Sequence, residues 1–300
     1  MTRAALSTQD YETFRIFLEE ACGIVLGENK HYLVVSRLGR LMADEGVATL
    51  GELVNHLRQG SNRPLRERIV EAMTTNETFW FRDTFPFDIL KDLILPDLVE
   101  RRVRNPRIWS AACSTGQEPY SISMIVQEYL ASRPGSLGDV QIHATDISPT
   151  ILQEAKDASY DNLALARGLS PERKQKYFVQ VRDNRWQARP EIRNRVRFSQ
   201  ANLLQSYSLL GRFDVIFCRN VLIYFSSESK ADILARMARV LNPGGYLFLG
   251  SSESITQYSD EFEMVRCPRG SVYRVKSGLS ARPSVPPPRP GPRPPVGGKG

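Results

Sequence analysis

Apolar positions between residues 8 and 72 recur close to every 3.6 residues, the period of an amphipathic helix. Tyr11, Phe14, Ile16, Phe17 and Cys22 mark a first helix. A second, YLVVSRLGRLMADEG, ends at a glycine cap, Gly46. A third, TLGELVNHLRQG, opens on a threonine cap and stops at Gly60, and RPLRERIVEAMTTN supplies a fourth. Residues 84–104, containing FPFDILKDLILPDLVERRVR, predict one long connecting helix. Beyond it the pattern changes. Short apolar runs at 108–113, 140–146, 195–200, 213–219, 245–251 and 271–275 read as strands, with helical patterns at 118–133, 149–157 and 228–241. Strands alternating with helices predict a mainly parallel sheet covered on both faces. An inserted segment, about 160–194, carries a short helix from Ser170-Pro171-Glu172 and alternation in YFVQV and RWQARPEI that suggests a small hairpin. GYLFLGSSESI and EFEMVRCPRGSVYRV lack a long helix between them and predict an antiparallel pair closing the sheet edge.

Composition narrows the class. The chain has 300 residues, 41% of them hydrophobic and 24% charged, enough to bury a sizeable core. The net charge of +7 is largely a tail effect: Lys276, Arg282, Arg289, Arg293 and Lys299 fall in the last 25 residues with no acid among them. The rest of the chain is close to neutral, which argues against nucleic acid as a partner. Residues 277–300 hold eight of the nineteen prolines and read as an extended, disordered tail. Cys22, Cys113, Cys218 and Cys267 have no paired spacing, so free thiols are expected and no metal site. With no signal-like segment or membrane-span-length apolar run, a cytoplasmic protein without membrane insertion is expected.

The segment RIWSAACSTGQEPY (107–120) carries the chemistry. An apolar run breaks into Ser114-Thr115-Gly116 and then starts a helix, the transition at which α/β proteins hold nucleotide-like cofactors. It lacks the G-x-G-x-x-G spacing and any Gly-Lys-Ser/Thr. Glu118 at the helix start would repel a pyrophosphate and suits an ammonium group. The next strand, VQIHATD, ends in Asp146, placed to take ribose hydroxyls. Two acids, a glycine turn and no phosphate cradle point to S-adenosylmethionine (SAM).

Six segments in this order resemble the CheR family, the chemotaxis receptor glutamate O-methyltransferases. They are MTTNETFWFRD (73–83), WSAACSTGQEPYSISM (109–124), ATDIS (144–148), ANLL (201–204), FDVIFCRNVLIYF (213–225) and LNPGGYLFLGSSESI (241–255). The resemblance implies a doubly wound, Rossmann-like SAM-dependent methyltransferase domain at 84–276, with a small antiparallel β-subdomain inserted at about 160–194. A small all-α domain at 1–83 precedes it, and 277–300 form the tail.

The reaction so implied moves a methyl group from SAM to a receptor glutamate, giving a methyl ester and S-adenosylhomocysteine. A noncatalytic SAM-binding scaffold is the alternative. By resemblance, Arg82 positions the substrate carboxylate and approaches the methionine end of SAM, while Tyr224 faces the transferring methyl. Asn76 and Thr78 match positions that hydrogen-bond the cofactor, and Asn202 and Leu203 flank the adenine. Arg219, Asn220 and Val221 line the end of the fourth strand, where Arg219 has a second role open to it as partner of an acid. Gly116 is expected to serve the turn and not to touch ligand. Arg37 and Arg40, three apart on one helix, are expected to meet acid-rich receptor helices. Some family members dock on a receptor C-terminal pentapeptide through a glycine-containing loop of the β-subdomain. Residues 177–192 contain no glycine, so pentapeptide-independent docking is expected, with Trp186 packing and the chain a monomer.

Overall fold

The computed structural model describes residues 8–58 and 62–276. The expected stop at Gly60 and the proline-rich tail lie outside them.

Four helices form the first unit: α1 (Thr8–Cys22), α2 (His31–Asp44), α3 (Leu50–Arg58) and α4 (Arg63–Met73). Their apolar faces enclose Phe14, Leu18, Leu38, Leu53 and Ile69, all essentially without exposure. Local chemistry sets the ends. Gly46 (φ 67°) follows α2, and its amide donates to the Ala43 carbonyl. Thr49 and Glu52 cap α3 reciprocally: the Thr49 hydroxyl accepts from the Glu52 amide (3.1 Å), and the Glu52 carboxylate accepts from the Ala48 amide (2.7 Å).

The expected helix over 84–104 is shorter and uneven. It runs as α5 (Phe85–Ile89), a π-helical turn (Leu90–Ile94) and α6 (Leu95–Glu100). Pro96 explains the widening, because a proline in a helix lacks an amide donor and crowds the carbonyl of residue i−4. Arg102 (φ 59°) lies beyond its end.

The second unit is a seven-stranded sheet in the order β6-β2-β1-β7-β8-β10-β9. Its members are β1 (Arg107–Ala111), β2 (Gln141–Asp146), β6 (Val196–Gln200), β7 (Phe213–Cys218), β8 (Leu241–Phe248), β9 (Phe262–Cys267) and β10 (Gly270–Val275). From β6 to β8 the pairing is parallel, with α7 (Gln117–Ser132) and α12 (Ser227–Val240) as crossovers and α8 (Pro149–Asp157) after β2. Alternate residues feed opposite faces. Ile108, Ile142, Val215 and Phe217 enter one buried cluster, Trp109, Ile216 and Cys218 the other. At the edge, β10 pairs antiparallel with β8 as expected, and the segment 261–275 contributes a whole hairpin, with β9 outermost.

The insertion is a three-stranded antiparallel sheet, β3 (Ser159–Tyr160), β5 (Arg185–Ala188) and β4 (Phe178–Arg182), with helices α9 (Asn162–Ala166), α10 (Pro171–Tyr177) and α11 (Pro190–Arg193). Asp183 and Asn184 make its hairpin turn, Asn184 adopting φ 58° in place of a glycine. Trp186 lies on β5 and packs: its indole donates to Asn162 Oδ1 (2.8 Å), and the Lys174 ammonium sits 4.0 Å from the ring centre. The subdomain is anchored on the body through Trp80, which meets Tyr160 and Phe178 edge-on.

Candidate functional site

The strand order reverses between β1 and β7, the topological switch point of the sheet, where ligands of open α/β folds lie beyond the strands' carboxyl ends. There a cleft of about 280 Å³ opens. Its floor comes from the loops after β1, β2, β6 and β7, and its cover from Cys22, residues 24–27, Leu33, Arg37 and residues 73–76. Asn76, Thr78, Arg82, Glu118, Asp146, Asn202, Leu203, Arg219, Asn220, Val221 and Tyr224, drawn from five separate stretches of sequence, all line it.

The loop after β1 is held in an unusual conformation. Ala112 (φ 59°) and Ser114 (φ 49°) are left-handed without being glycine, and Gly116 (φ 94°) starts α7. A Cβ on Gly116 would lie 3.1 Å from both Tyr120 and Tyr160, a tight fit that adds to the preference for glycine set by that φ. Phe81, Asp83, Thr84 and Asn220 are left-handed too, which gathers strained backbone around one cleft. Asp146 fastens this loop: its carboxylate accepts the Ser114 amide (2.9 Å) and the Ser148 amide (3.1 Å). Burial pushes its pKa up, and the amides of Ser148, Ser114 and Ile147 partly offset that.

Glu118 and Arg219 are coupled. Glu118 Oε2 pairs with the Arg219 guanidinium (2.9 Å), and Oε1 accepts from the Ser110 hydroxyl (2.8 Å). Arg219 also donates to Asp83 Oδ2 (2.8 Å) and to the Arg82 carbonyl (2.7 Å), with its side chain 1% exposed. Arg219 thus takes the acid-partner role that sequence left open. Arg82 itself is half-buried; its guanidinium donates to the Glu77 carbonyl (3.2 Å) and lies 5.4 Å from the Phe79 ring centre.

Three side chains differ from their expected settings. Arg37 points inward, donating to the Met73 carbonyl (2.6 Å), the Thr74 carbonyl (3.1 Å) and the Thr75 hydroxyl (3.0 Å). It caps the C-terminus of α4, whose carbonyls attract a cation, and so does not share Arg40's exposed position on α2. Asn202 spends its amide on protein: it donates to the Ala21 carbonyl (2.8 Å) and accepts from the Leu204 amide (3.0 Å), tying α1 to the sheet. Glu118, expected to meet an ammonium group, reaches the cleft already paired with Arg219.

The loop after α1 joins the cleft with no motif to mark it. Ile24, Val25 and Leu26 follow Gly23 (φ 80°), and the Val25 amide donates to the Tyr224 carbonyl (2.8 Å). An apolar triplet in a loop is the available signal, although only Leu26 of the three is buried and Val25 is 41% exposed.

The donor set fits SAM. Apolar walls from Leu33, Ile147, Leu203 and Val221 suit an adenine, and a buried carboxylate with acceptor capacity beyond its two amide bonds suits a ribose diol. Cys22 and Cys113 also line the cleft, and burial raises both thiols, Cys22 to about 11, so both stay protonated.

Residues 9–74 match the CheR methyltransferase all-alpha domain, and residues 76–271 match the CheR methyltransferase SAM binding domain. Chemotaxis protein methyltransferase 1 of Pseudomonas aeruginosa is 55% identical over 269 residues, covering 89% of this chain and 98% of that protein. The chemotaxis protein methyltransferase of Vibrio parahaemolyticus is 51% identical over 276 residues, covering 92% and 100%. That of Escherichia coli is 34% identical over 266 residues, covering 87% and 90%.

Proposed function

The chain belongs to the CheR family of SAM-dependent methyltransferases of chemotaxis, and from that premise we propose that it methylates glutamate side chains of chemotaxis receptors, releasing S-adenosylhomocysteine. The observation that carries this reading is that Arg82 and Tyr224, far apart in sequence, line the same cleft as Glu118 and Asp146.

Bound SAM supplies a methyl group on a sulfonium, a strong electrophile, so the protein's task is orientation and charge. Asp146 accepts the ribose hydroxyls, and Asn202 and Leu203 flank the adenine. Asn76 and Thr78 hydrogen-bond the cofactor. Asn220 and Val221 shape its wall with the buried Arg219, which holds Glu118 in place for the methionine end. Arg82 presents a planar fork of donors that matches a carboxylate, as lysine would not. The Tyr224 hydroxyl aligns that carboxylate toward the transferring methyl.

A glutamate side chain is ionised at neutral pH, so no general base is required. Alignment of the reacting groups contributes about 7–11 kcal/mol when the geometry is near in-line. Arg40, exposed on α2, is available to acid-rich receptor helices, and Arg37 is withdrawn to the cleft wall. The two-residue turn of the inserted hairpin supports docking that needs no receptor pentapeptide.

The test is transfer of labelled methyl from SAM to membranes bearing the cognate receptors. Label released by mild alkali is the expected result, as for a carboxyl methyl ester. Tight SAM binding with no labelled receptor would favour a scaffold instead.

A further inference from the structure

The motif GSSESI (250–255) contributes Glu253, a residue that does not line the cofactor cleft, yet three backbone donors converge on its carboxylate. Glu253 Oε2 accepts the Asn220 amide (2.7 Å) and the Gly250 amide (2.7 Å), and Oε1 accepts the Ile223 amide (3.2 Å). Asn220 is left-handed (φ 58°), and Ile223 lies in the 3₁₀ turn Leu222–Tyr224. Strand pairing ends at Cys218 on this strand, so the loop that follows has no ladder to hold it. The carboxylate replaces the ladder. Charge-assisted bonds of this kind are about twice as strong as neutral ones.

Gly250 makes the approach possible. A Cβ there would lie 2.6 Å from Asn220 Nδ2 and 2.8 Å from Glu253 Oε2. Glu253 is itself held by a tight turn, its amide donating to the Gly250 carbonyl (2.9 Å), with buried Ile255 two residues on. The carboxylate therefore links the ends of β7 and β8 and fixes the segment that brings Asn220, Val221 and Tyr224 to the cleft.

We propose that Glu253 is a positioning residue for methyl transfer: Oε2 sets the cofactor wall at Asn220, and Oε1 sets the turn that aims Tyr224. This rests on the transferase reading above. Its test compares Glu253→Gln with Glu253→Ala. Glutamine keeps one carbonyl oxygen for the two short bonds from Asn220 and Gly250, and turns its NH₂ against the Ile223 amide. Glu253→Gln should keep SAM affinity by calorimetry within about threefold while saturated turnover on receptors falls about tenfold. Glu253→Ala should lose both. In cofactor-free protein, amide exchange over 219–225 should accelerate about tenfold or more in Glu253→Ala, with 107–120 unchanged.

Unchanged exchange over 219–225 in Glu253→Ala would overturn the proposal. So would a Glu253→Gln variant that loses SAM affinity in step with its melting temperature, the mark of a merely structural residue. The exchange and affinity measurements need no receptor, so they decide whether Glu253 fixes the 219–225 segment and the cofactor wall even where wild-type protein fails to label receptors. That failure would count against the transferase reading alone.

Discussion

Two arginines meet the cleft under opposite conditions. Arg219, on the floor, is 1% exposed and bonded through its two terminal nitrogens to Glu118, Asp83 and the Arg82 carbonyl, with its Nε left unpartnered. Arg82, at the mouth, has one carbonyl at 3.2 Å and an aromatic face. The floor sets its one cation between two carboxylates, so it offers a cofactor shape and fixed acceptors. The mouth presents a cation with no carboxylate partner in an ion pair among the described residues, the cation that the proposed function assigns to the substrate. The floor also builds the mouth: Arg219 grips the Arg82 carbonyl in a run where Phe81, Asp83 and Thr84 all have positive φ. One buried guanidinium thus holds both Glu118 and the strained backbone that carries Arg82.

Breaking the floor should have the largest effect. Arg219→Ala leaves Glu118 and Asp83 without their partner in a largely buried site, which costs about 3–5 kcal/mol of folding stability. Denaturant unfolding should show that loss, together with weakened SAM binding. A change below about 1 kcal/mol would mean that the floor charges are solvated and not coupled.

Asp146 sharpens the comparison through pH. Burial is the main cause raising its pKa above 3.8. The native state therefore holds this proton more tightly than the unfolded chain does. Asp146's contribution to stability is present in full below pH 3.8 and is lost as pH rises through the higher folded pKa. SAM affinity should run the other way, since ribose hydroxyls need the ionised acceptor. It should fall about tenfold per pH unit below that midpoint, and Asp146→Asn should flatten the profile in calorimetric titrations.

The smallest effect is expected furthest from the cleft. Thr49→Ala removes one half of the α3 capping box and should cost about 1 kcal/mol in thermal unfolding, with SAM affinity unchanged. A change in affinity would show that the helical unit transmits strain to the site from its outer helices.

How far these regions could be read from sequence follows from how local their causes are. Thr49 and Gly46 bond backbone groups within four residues, and both ends were legible. So was the turn at Gly116, where a strand, a glycine and a helix start adjoin. Arg37 was not: its acceptors are the carbonyls of Met73 and Thr74 on another helix, and a helical face shows only that it is polar. Glu253 lies about thirty residues from two of the three amides it holds, and nothing in GSSESI announces those two. The π turn before Pro96 escaped because an apolar run looks the same at either helical pitch. Arg219 was half legible, its chemistry allowing either an acid or a ligand and its burial deciding.

The division of labour between floor and mouth is tested most directly by one variant measured two ways. Arg82→Ala should bind SAM within about tenfold of wild type by calorimetry, while single-turnover transfer to receptor membranes falls by about 10²–10³. Affinity falling as far as transfer would contradict the account, placing Arg82 with the cofactor and leaving the substrate carboxylate without its cation.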